Sequence, residues 1–322
     1  MKTLFRCVAL AIALSAPIAI APSIAMAAAP IVGGQAPGYY RMFVGRYEVT
    51  ALLDGTHGFK ASELAVNAKP GEVEELLGRQ DLTSPVEGMI NAFLINTGAK
   101  LILIDTGAGD LYGKDGGLLV SNLRAAGYSP DQIDEIYLTH LHRDHAGGLM
   151  RGGKVVFPNA IVYVSKRDAD FWLNNANRAK TSTLLGPMFD GAQSVLAPYI
   201  ASGRFRTFDS EAELSPGIHP IFSPGHSPGH CYFMVEDEGR KLLVWGDTVH
   251  VQPVQFPDPD VGIEYDTDAK QAVISRRRAM SEAARDGYWV AGAHISFPGI
   301  GHVRAEGARG FVWIPANYTL NR

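Results

Sequence analysis

Cysteine is scarce in this chain: Cys7 and Cys231 are the only two among 322 residues. Cys7 lies in an N-terminal segment that we expect to be removed, so a disulfide within the mature chain is excluded. Stability then depends on packing, with or without bound metal. Cys231 stands in a strand-like run between His230 and Tyr232, which favours a small buried hydrophobic role over a nucleophilic one.

Positive charge is limited too, and the formal net charge is −4. The only dense basic run, Arg276-Arg277-Arg278, is interpreted as a solvated helix face. This charge distribution does not indicate a nucleic-acid partner. The chain also lacks short repeats and Ser/Gly/Pro-rich linkers, and it is 46% hydrophobic, so residues 41–322 are predicted to form one domain with a large core.

No apolar run is long enough for a membrane anchor, but the N-terminus has the pattern of a cleaved signal. Lys2 and Arg6 precede a short apolar stretch, and Ala25-Met26-Ala27 supplies a small-residue cleavage pattern. We expect residues 1–27 to be a signal peptide and residues 28–40 an irregular arm. The mature protein, with a net charge of −6 once the two cations are removed, should be periplasmic or secreted and free of the membrane.

Hydrophobic periodicity predicts an α/β fold. Strands are expected at 42–53, 89–96, 100–104, 135–138, 160–164, 205–208, 218–222, 231–236, 241–245 and 288–293, and helices at 71–77, 117–126, 166–175, 183–201 and 268–286. Strands and helices occur in two successive groups. This order predicts two mixed sheets packed face to face with helices outside.

One stretch, Thr139 to Gly148, is unusually rich in metal-binding side chains and reads Thr-His-Leu-His-Arg-Asp-His-Ala-Gly-Gly. It follows a predicted buried strand. Side chains two apart on an extended chain point the same way, so His140 and His142 can bind one ion. Asp144 and His145 follow where the chain turns, with the Gly-Gly pair permitting a tight bend, and face a second ion. Imidazole and carboxylate together suit zinc and its first-row neighbours.

Three further metal-type side chains come where predicted strands end. His226 lies on a Gly-Pro loop, and Asp247 and His294 each follow an apolar strand. A lone His or Asp at a strand end is commonly a capping or core group. Together with the cluster above, however, these residues complete seven ligands for two ions.

These motifs resemble those of the metallo-β-lactamase superfamily over nearly all of the mature sequence. The shared motifs are Asp105-Thr106-Gly107, the His140–His145 cluster, Pro224-Gly225-His226, Gly246-Asp247-Thr248 and His294. Within the superfamily, longer segments are similar to the methyl parathion hydrolase branch, namely Ala36–Met42, Ala169–Leu173 and Ser296–Gly307.

The resemblance implies an αβ/βα sandwich with a dinuclear site at one edge. It assigns His140, His142 and His226 to one ion, Asp144, His145 and His294 to the other, and Asp247 to both, with Asp105 and His230 as supporting residues. Two divalent ions are implied, zinc first, with manganese, cobalt or iron as alternatives. It also implies a homodimer and a small-molecule substrate. His57, His219 and His302 match no motif and are interpreted as structural or surface residues.

No Ser-His-Asp or activated Cys arrangement is visible, so the nucleophile should be water. By resemblance, Asp247 and Asp144 flank a hydroxide held between the ions, and Asp144 orients it. Tyr112, Trp172 and Phe189 are expected to form aromatic pocket walls. His250, just past Asp247, and Ile263 are also expected in the substrate pocket. Both residues, like Tyr265, depart from the branch, and a polar His250 is costlier to desolvate against an aryl phosphotriester than an apolar residue would be.

Three functions remain open from the sequence. The first is an exported hydrolase of organophosphate triesters and lactones or aryl esters. The second is a dedicated lactonase or arylesterase with only promiscuous phosphotriesterase activity. The third is a non-catalytic, metal-stabilised binding protein, which the complete ligand set disfavours. A hydroxyacylglutathione hydrolase is less favoured, because no basic cluster near the C-terminus matches a glutathione carboxylate site.

Overall fold

The computed structural model describes Ala29 and residues 31–319, so the predicted signal peptide lies outside the described residues. The chain divides into two units, Met1–Gln35 and Ala36–Arg322, and the second contains every described helix and strand. Its first strand begins at Tyr39, so the predicted irregular arm ends two residues earlier than expected. Among the described residues, no helix is both long and apolar enough to cross a membrane.

Seventeen strands and eight α-helices are described. The strands are β1 Tyr39–Val44, β2 Tyr47–Phe59, β3 Ala65–Val66, β4 Val86–Asn96, β5 Leu101–Ile104, β6 Glu135–Tyr137, β7 Met150–Arg151, β8 Lys154–Val155, β9 Ile161–Ser165, β10 Phe205–Phe208, β11 Ile218–Phe222, β12 Cys231–Asp237, β13 Arg240–Val244, β14 Gly262–Ile263, β15 Trp289–Ala291, β16 Ile300–Glu306 and β17 Gly310–Pro315. The helices are α1 Ala61–Leu64, α2 Glu72–Gly78, α3 Leu119–Ala125, α4 Arg143–Ala146, α5 Lys166–Trp172, α6 Gly186–Ala201, α7 Gln252–Gln255 and α8 Ala269–Asp286.

Two large sheets form the centre of the second unit. One has the strand order β1-β2-β4-β5-β6-β9-β10 and the other β11-β12-β13-β15-β16-β17. Val49 and Ile104 of the first sheet belong to the same buried apolar cluster as Phe233 and Val244 of the second. The outer face of the first sheet packs against α3, α5 and α6, and that of the second against α8. The predicted sandwich with helices outside is therefore confirmed. Cys231 lies fully buried between the sheets, as expected.

Two strands at the end of the second sheet were not predicted. β16 and β17 pair antiparallel, and only part of each strand is buried, because Arg304, Ala305 and Glu306 face solvent. Their hydrophobic alternation is correspondingly weak. The predicted helix at 183–201 begins at Gly186, after a 3-10 turn at Thr183–Leu185, where Pro187 in its first turn suits a helix start.

The basic run on α8 is only partly solvated, so its interpretation as a solvated face is wrong for Arg276. Arg276 is buried, and its guanidinium donates to the carbonyl oxygens of Thr248 (2.7 Å), Pro259 (2.8 Å) and Val261 (2.9 Å). Arg277 pairs with Asp260 at the surface. Arg276 thus holds the loop that follows Asp247, because five donors in a fixed fork can satisfy several loop carbonyls at once.

Candidate metal centre

The predicted ligands all lie in segments that follow strands of the two sheets at one edge. The chain leaves β6, passes His140 and enters α4, which carries Asp144 and His145, after His142, whose backbone is extended (φ −70°, ψ 161°). His226 follows β11, Asp247 follows β13, and His294 follows β15. Strand ends supply loops of fixed position, so side chains distant in sequence can meet there.

The first cluster contains His140, His142, His226 and Asp247, all buried. The His226 Nε2 atom lies 3.2 Å from His140 Nε2, 3.0 Å from His142 Nδ1 and 3.2 Å from Asp247 Oδ2. Ligand atoms about 2.1 Å from a tetrahedral zinc ion lie about 3.4 Å from one another. The three separations from His226 Nε2 are close to this value, and all four donor atoms lie within 4.8 Å of one another.

The second cluster contains Asp144, His145, His294 and, again, Asp247. His145 Nε2 lies 2.9 Å from Asp247 Oδ1, and His294 Nε2 lies 3.1 Å from Asp247 Oδ2 and 3.4 Å from Asp144 Oδ2. The two oxygens of Asp247 thus serve both clusters. All seven predicted ligands converge in the two groups that the family resemblance implied.

The chemistry of these donors fits divalent cations. His145 Nε2 and Asp247 Oδ1 are buried 2.9 Å apart, and beyond this mutual contact neither has a hydrogen-bond partner among the described residues. A bound cation would compensate the desolvation of both atoms. Burial, ahead of the neighbouring histidines, holds the pKa of His140 and of His142 well below the usual range. Neutral imidazoles offer the lone pairs that a metal needs.

Asp105 supports the histidine loop from behind, as predicted. It follows β5 in the left-handed region (φ +61°), a conformation that Asp tolerates better than most residues. Its Oδ1 accepts from the Thr139 amide (2.8 Å), and its Oδ2 lies 2.8 Å from His145 Nδ1. This contact orients the His145 ring so that Nε2 faces the cluster.

His230 is a supporting residue and lies outside both clusters. Its Nε2 accepts from the Asp247 amide at 3.1 Å, and its Nδ1 lies 3.1 Å from the Ser223 carbonyl oxygen. Burial, ahead of the charge of His226, lowers the pKa of His230 to about 3, so the ring is neutral. A neutral ring that donates through Nδ1 and accepts through Nε2 satisfies both contacts and fixes the backbone of Asp247.

Two further carboxylates that position ligands were missed by the sequence reasoning. Asp266 Oδ1 lies 2.9 Å from His226 Nδ1 and orients that ring. Asp168, fully buried on α5, accepts from the Leu141 amide (2.7 Å), the Gly229 amide (3.0 Å) and the Ser227 hydroxyl. It therefore joins the His140–His142 loop to the loop carrying His226. Neither residue stands in a motif, so only the fold brings them to the site.

A cavity of about 410 Å³, its open mouth included, lies over both clusters. Besides five of the ligands, its wall is formed by His57, Phe59, Gly88, Tyr112, Met188, His250 and Tyr265. Of the predicted wall residues, Tyr112 and His250 are therefore present. The His250 ring stacks on His294 (centroids 5.2 Å apart), and its Nε2 lies 3.2 Å from Asp247 Oδ2.

Trp172, Phe189 and Ile263 do not line the cavity, which corrects the prediction for these three residues. Trp172 is fully buried behind His142, with ring centroids 5.0 Å apart, and its Nε1 donates to the Ser227 hydroxyl (2.8 Å). Phe189 packs on Trp172 from the helix side. Ile263 is buried in β14, opposite Ala65. The large side chains fill the core behind the ligands and fix their positions.

His57 matched no motif and was interpreted as a structural or surface residue, without a place in the site. It lines the cavity at the end of β2, together with Phe59. His302, by contrast, packs on Trp289 away from the cavity, and its Nδ1 lies 3.1 Å from the Tyr288 carbonyl oxygen. No motif distinguishes the two histidines, but the strand alternation that places residues 57 and 59 on one face was available as a signal.

A sequence profile of the metallo-beta-lactamase superfamily matches residues 85–285 of the chain. An N-acyl homoserine lactonase of Bacillus thuringiensis is 29% identical over 127 residues, which are 39% of this chain and 42% of that protein. An atrochrysone carboxyl ACP thioesterase of Passalora fulva is 28% identical over 220 residues, 66% of this chain and 54% of that protein. The chain thus spans about half the length of these curated relatives.

Two solved structures are similar over almost their whole length. The hydrolase AbOPH, described as a beta lactamase superfamily member, is 38% identical, with a TM-score of 0.85 over 89% of this chain and 100% of that one. AidC, described as a dizinc quorum-quenching lactonase in complex with its product, is 29% identical, with a TM-score of 0.82 over 88% of this chain and 98% of that one.

Proposed function

Because the chain belongs to the metallo-β-lactamase superfamily and is a metal-dependent hydrolase, we propose that it hydrolyses lactones and aryl esters, with zinc as the metal at both positions. The observation that carries this proposal is the pair of ligand clusters that share Asp247 on the floor of one cavity. The dizinc lactonase AidC supports the choice of metal and substrate. Manganese, cobalt and iron suit the same donors.

Two divalent ions bound here would lower the pKa of a water molecule to about 7 and polarise the substrate's reacting oxygen. The chain's own residues supply the rest. Asp144 lines the cavity beside His294 and is placed to orient the attacking water and accept its proton. The Phe59 and Tyr265 rings form an apolar wall that limits the access of bulk water. The complete ligand set disfavours a non-catalytic binding protein.

Lactones are favoured over phosphotriesters by the polarity of the cavity wall. The imidazoles of His57 and His250 stand on this wall and make it polar. A lactone offers oxygens that can pair with such groups. An aryl phosphotriester would press apolar surface against them and leave them unsatisfied.

Organophosphate triester hydrolysis is the second candidate. The rings of Phe59, Tyr112 and Tyr265 offer aromatic surface to a flat aryl leaving group. An aryl oxide also needs little proton donation, which suits a site whose only lining carboxylates belong to the metal clusters. We expect this activity to be the weaker of the two.

A substrate panel on zinc- and manganese-reconstituted protein tests the proposal. Values of kcat/KM are measured for N-hexanoyl-L-homoserine lactone, an aryl lactone, an aryl ester and methyl parathion. The expected result is that one of the lactones exceeds methyl parathion by at least about tenfold. A higher value for methyl parathion would make the phosphotriester the principal substrate and overturn the assignment.

Replacing His250 with isoleucine should raise phosphotriester turnover relative to lactone turnover. The change removes a polar ring from the cavity wall, so an apolar aryl group meets no unsatisfied nitrogen. The ratio of the two kcat/KM values is expected to move by about tenfold. His219→Ile, on β11 and away from the cavity, is the matched control. An unchanged or opposite ratio in the His250 variant would contradict this role.

Export is part of the proposal and rests on the N-terminal pattern alone. Intact-mass measurement of protein from the periplasmic or culture fraction should give a chain that begins at Ala28. A chain that retains Met1 to Ala27 in the cytoplasmic fraction would contradict it.

A further inference from the structure

His57 stands in the cavity because the neighbouring strand makes room for its ring. It lies near the end of β2, directly opposite Gly88 of β4. A Cβ atom at position 88 would lie 3.3 Å from the Cε1 atom of His57, so a larger residue there would crowd the imidazole. Both residues line the cavity. The imidazole therefore fits on the cavity wall because Gly88, the residue opposite it in the sheet, has no side chain.

Two aromatic neighbours hold the ring in place without using its nitrogens. The His57 ring meets Tyr112 edge-on with centroids 5.3 Å apart and meets Phe59 edge-on at 6.1 Å. Its Nδ1 atom is buried and has no hydrogen-bond partner among residues 29 and 31–319. Burial, ahead of the charge of His294, lowers the pKa of His57. A neutral imidazole carries one donor and one acceptor, and here both remain uncommitted.

Buried polar groups in native proteins are normally paired, and the exceptions concentrate at functional sites. His302 shows the ordinary arrangement, because its Nδ1 meets a backbone carbonyl oxygen. His57 differs in that its unpaired ring lines the cavity over the ligand clusters without belonging to either of them. Because Nδ1 is enclosed, the Nε2 atom of this ring is the nitrogen that a ligand in the cavity can reach.

We propose that His57 is a specificity-determining residue whose imidazole forms a hydrogen bond with a second polar group of the substrate, such as the side-chain amide of an acylated lactone. The inference rests on the proposed lactonase function and extends it. It identifies the substrate class as lactones that carry a hydrogen-bonding substituent beside the ring. Lactones with plain alkyl substituents would leave the imidazole unpaired.

The test compares two ligands of equal chain length that differ in the amide alone, N-hexanoyl-L-homoserine lactone and α-heptyl-γ-butyrolactone. Kinetics are measured on the zinc-loaded wild type and on His57→Phe, which keeps a ring but removes both nitrogens. The ratio of kcat/KM for the amide substrate to that for the alkyl substrate should fall about tenfold, mainly through KM. His57→Asn, which retains hydrogen-bonding groups, should recover most of the ratio, and His219→Phe should leave it unchanged.

Calorimetric binding of the two ring-opened products to the same zinc-loaded proteins gives a readout independent of turnover. If the wild type hydrolyses neither lactone but binds the amide product more tightly, and His57→Phe removes this preference, the proposed function fails and the role of His57 stands. Equal effects of His57→Phe on both ligands, no effect on either, or no preference in the wild type would overturn the role of His57.

Discussion

Replacement of Asp247 by alanine is expected to reduce kcat/KM by at least about a thousandfold, the largest loss from any single substitution considered. Both oxygens of this carboxylate face the clusters, one 2.9 Å from His145 Nε2 and the other 3.1–3.2 Å from His294 and His226. Its removal would take a ligand from both ions and weaken the binding of each. Turnover and metal content are measured together.

Two control variants accompany Asp247→Ala: one separates charge from shape at position 247, and the other removes a carboxylate elsewhere. Asp247→Asn keeps the volume and one oxygen, so it should retain more metal than alanine while still losing most activity. Asp170→Ala removes an exposed carboxylate on α5 and should behave as wild type. An Asp247→Ala protein that keeps two ions and more than about a tenth of the activity would show that this residue does not bridge the clusters.

Replacement of Gly148 by alanine is expected to destabilise the fold by about 3 kcal/mol, because the new atom has no space. A Cβ there would lie 1.9 Å from the backbone oxygen of Thr106, and one at Gly147 would lie 2.1 Å from that of Ala108. The segment after His145 would have to move away from the Asp105 loop, disturbing the second cluster. Thermal unfolding should shift by about 10 °C, with a loss of bound metal.

Gly78→Ala provides the matched control, since Gly78 lies exposed at the end of α2 and no described atom beyond its own helix and chain neighbours lies within 4 Å of a Cβ added there. This variant should be as stable as wild type or slightly more stable. Equal melting temperatures for Gly148→Ala and Gly78→Ala would show that the close approach to Thr106 is not required.

The need for glycine at positions 147 and 148 was predicted from the sequence, but for a reason that differs from the one the structure shows. The Gly-Gly pair was expected to permit a tight bend, yet Gly147 has ordinary helical dihedral angles (φ −59°, ψ −36°). What requires glycine is the contact with a neighbouring loop, which short-range sequence patterns do not report. Chain geometry alone predicts turns well, whereas close approaches depend on the whole fold.

The ligands from His140 to His145 were predictable because their spacing is local and a buried strand ends just before them. His226, Asp247 and His294 follow other strands, and their assignment to the two ions came from the family resemblance. His140, His142 and Asp144 needed only the alternation of an extended chain and the following turn to reach two different ions. Asp105, which contacts the Thr139 amide and the His145 ring, was predictable from its motif. Asp168 and Asp266 were not, since each supports a ligand loop remote in sequence.

The cavity wall was the least predictable part, because burial and not residue type decides which aromatic side chains face it. Trp172 is as large as the aromatic residues of the cavity wall. It nevertheless lies in the core, where its indole donates a hydrogen bond to Ser227. Phe59 and His57 have no motif and nevertheless reach the cavity from β2. The burial of Arg276 was also not predictable from the sequence. The loop carbonyl oxygens that accept its hydrogen bonds belong to another segment of the chain.

Anomalous diffraction from crystals of the zinc-reconstituted protein, combined with elemental analysis, tests the central claim most directly. Two ions per chain are expected, about 3.5–4 Å apart, one beside His140 and His226 and the other beside His145 and His294, with Asp247 between them. A single ion, or ions bound away from Asp247, would contradict the account.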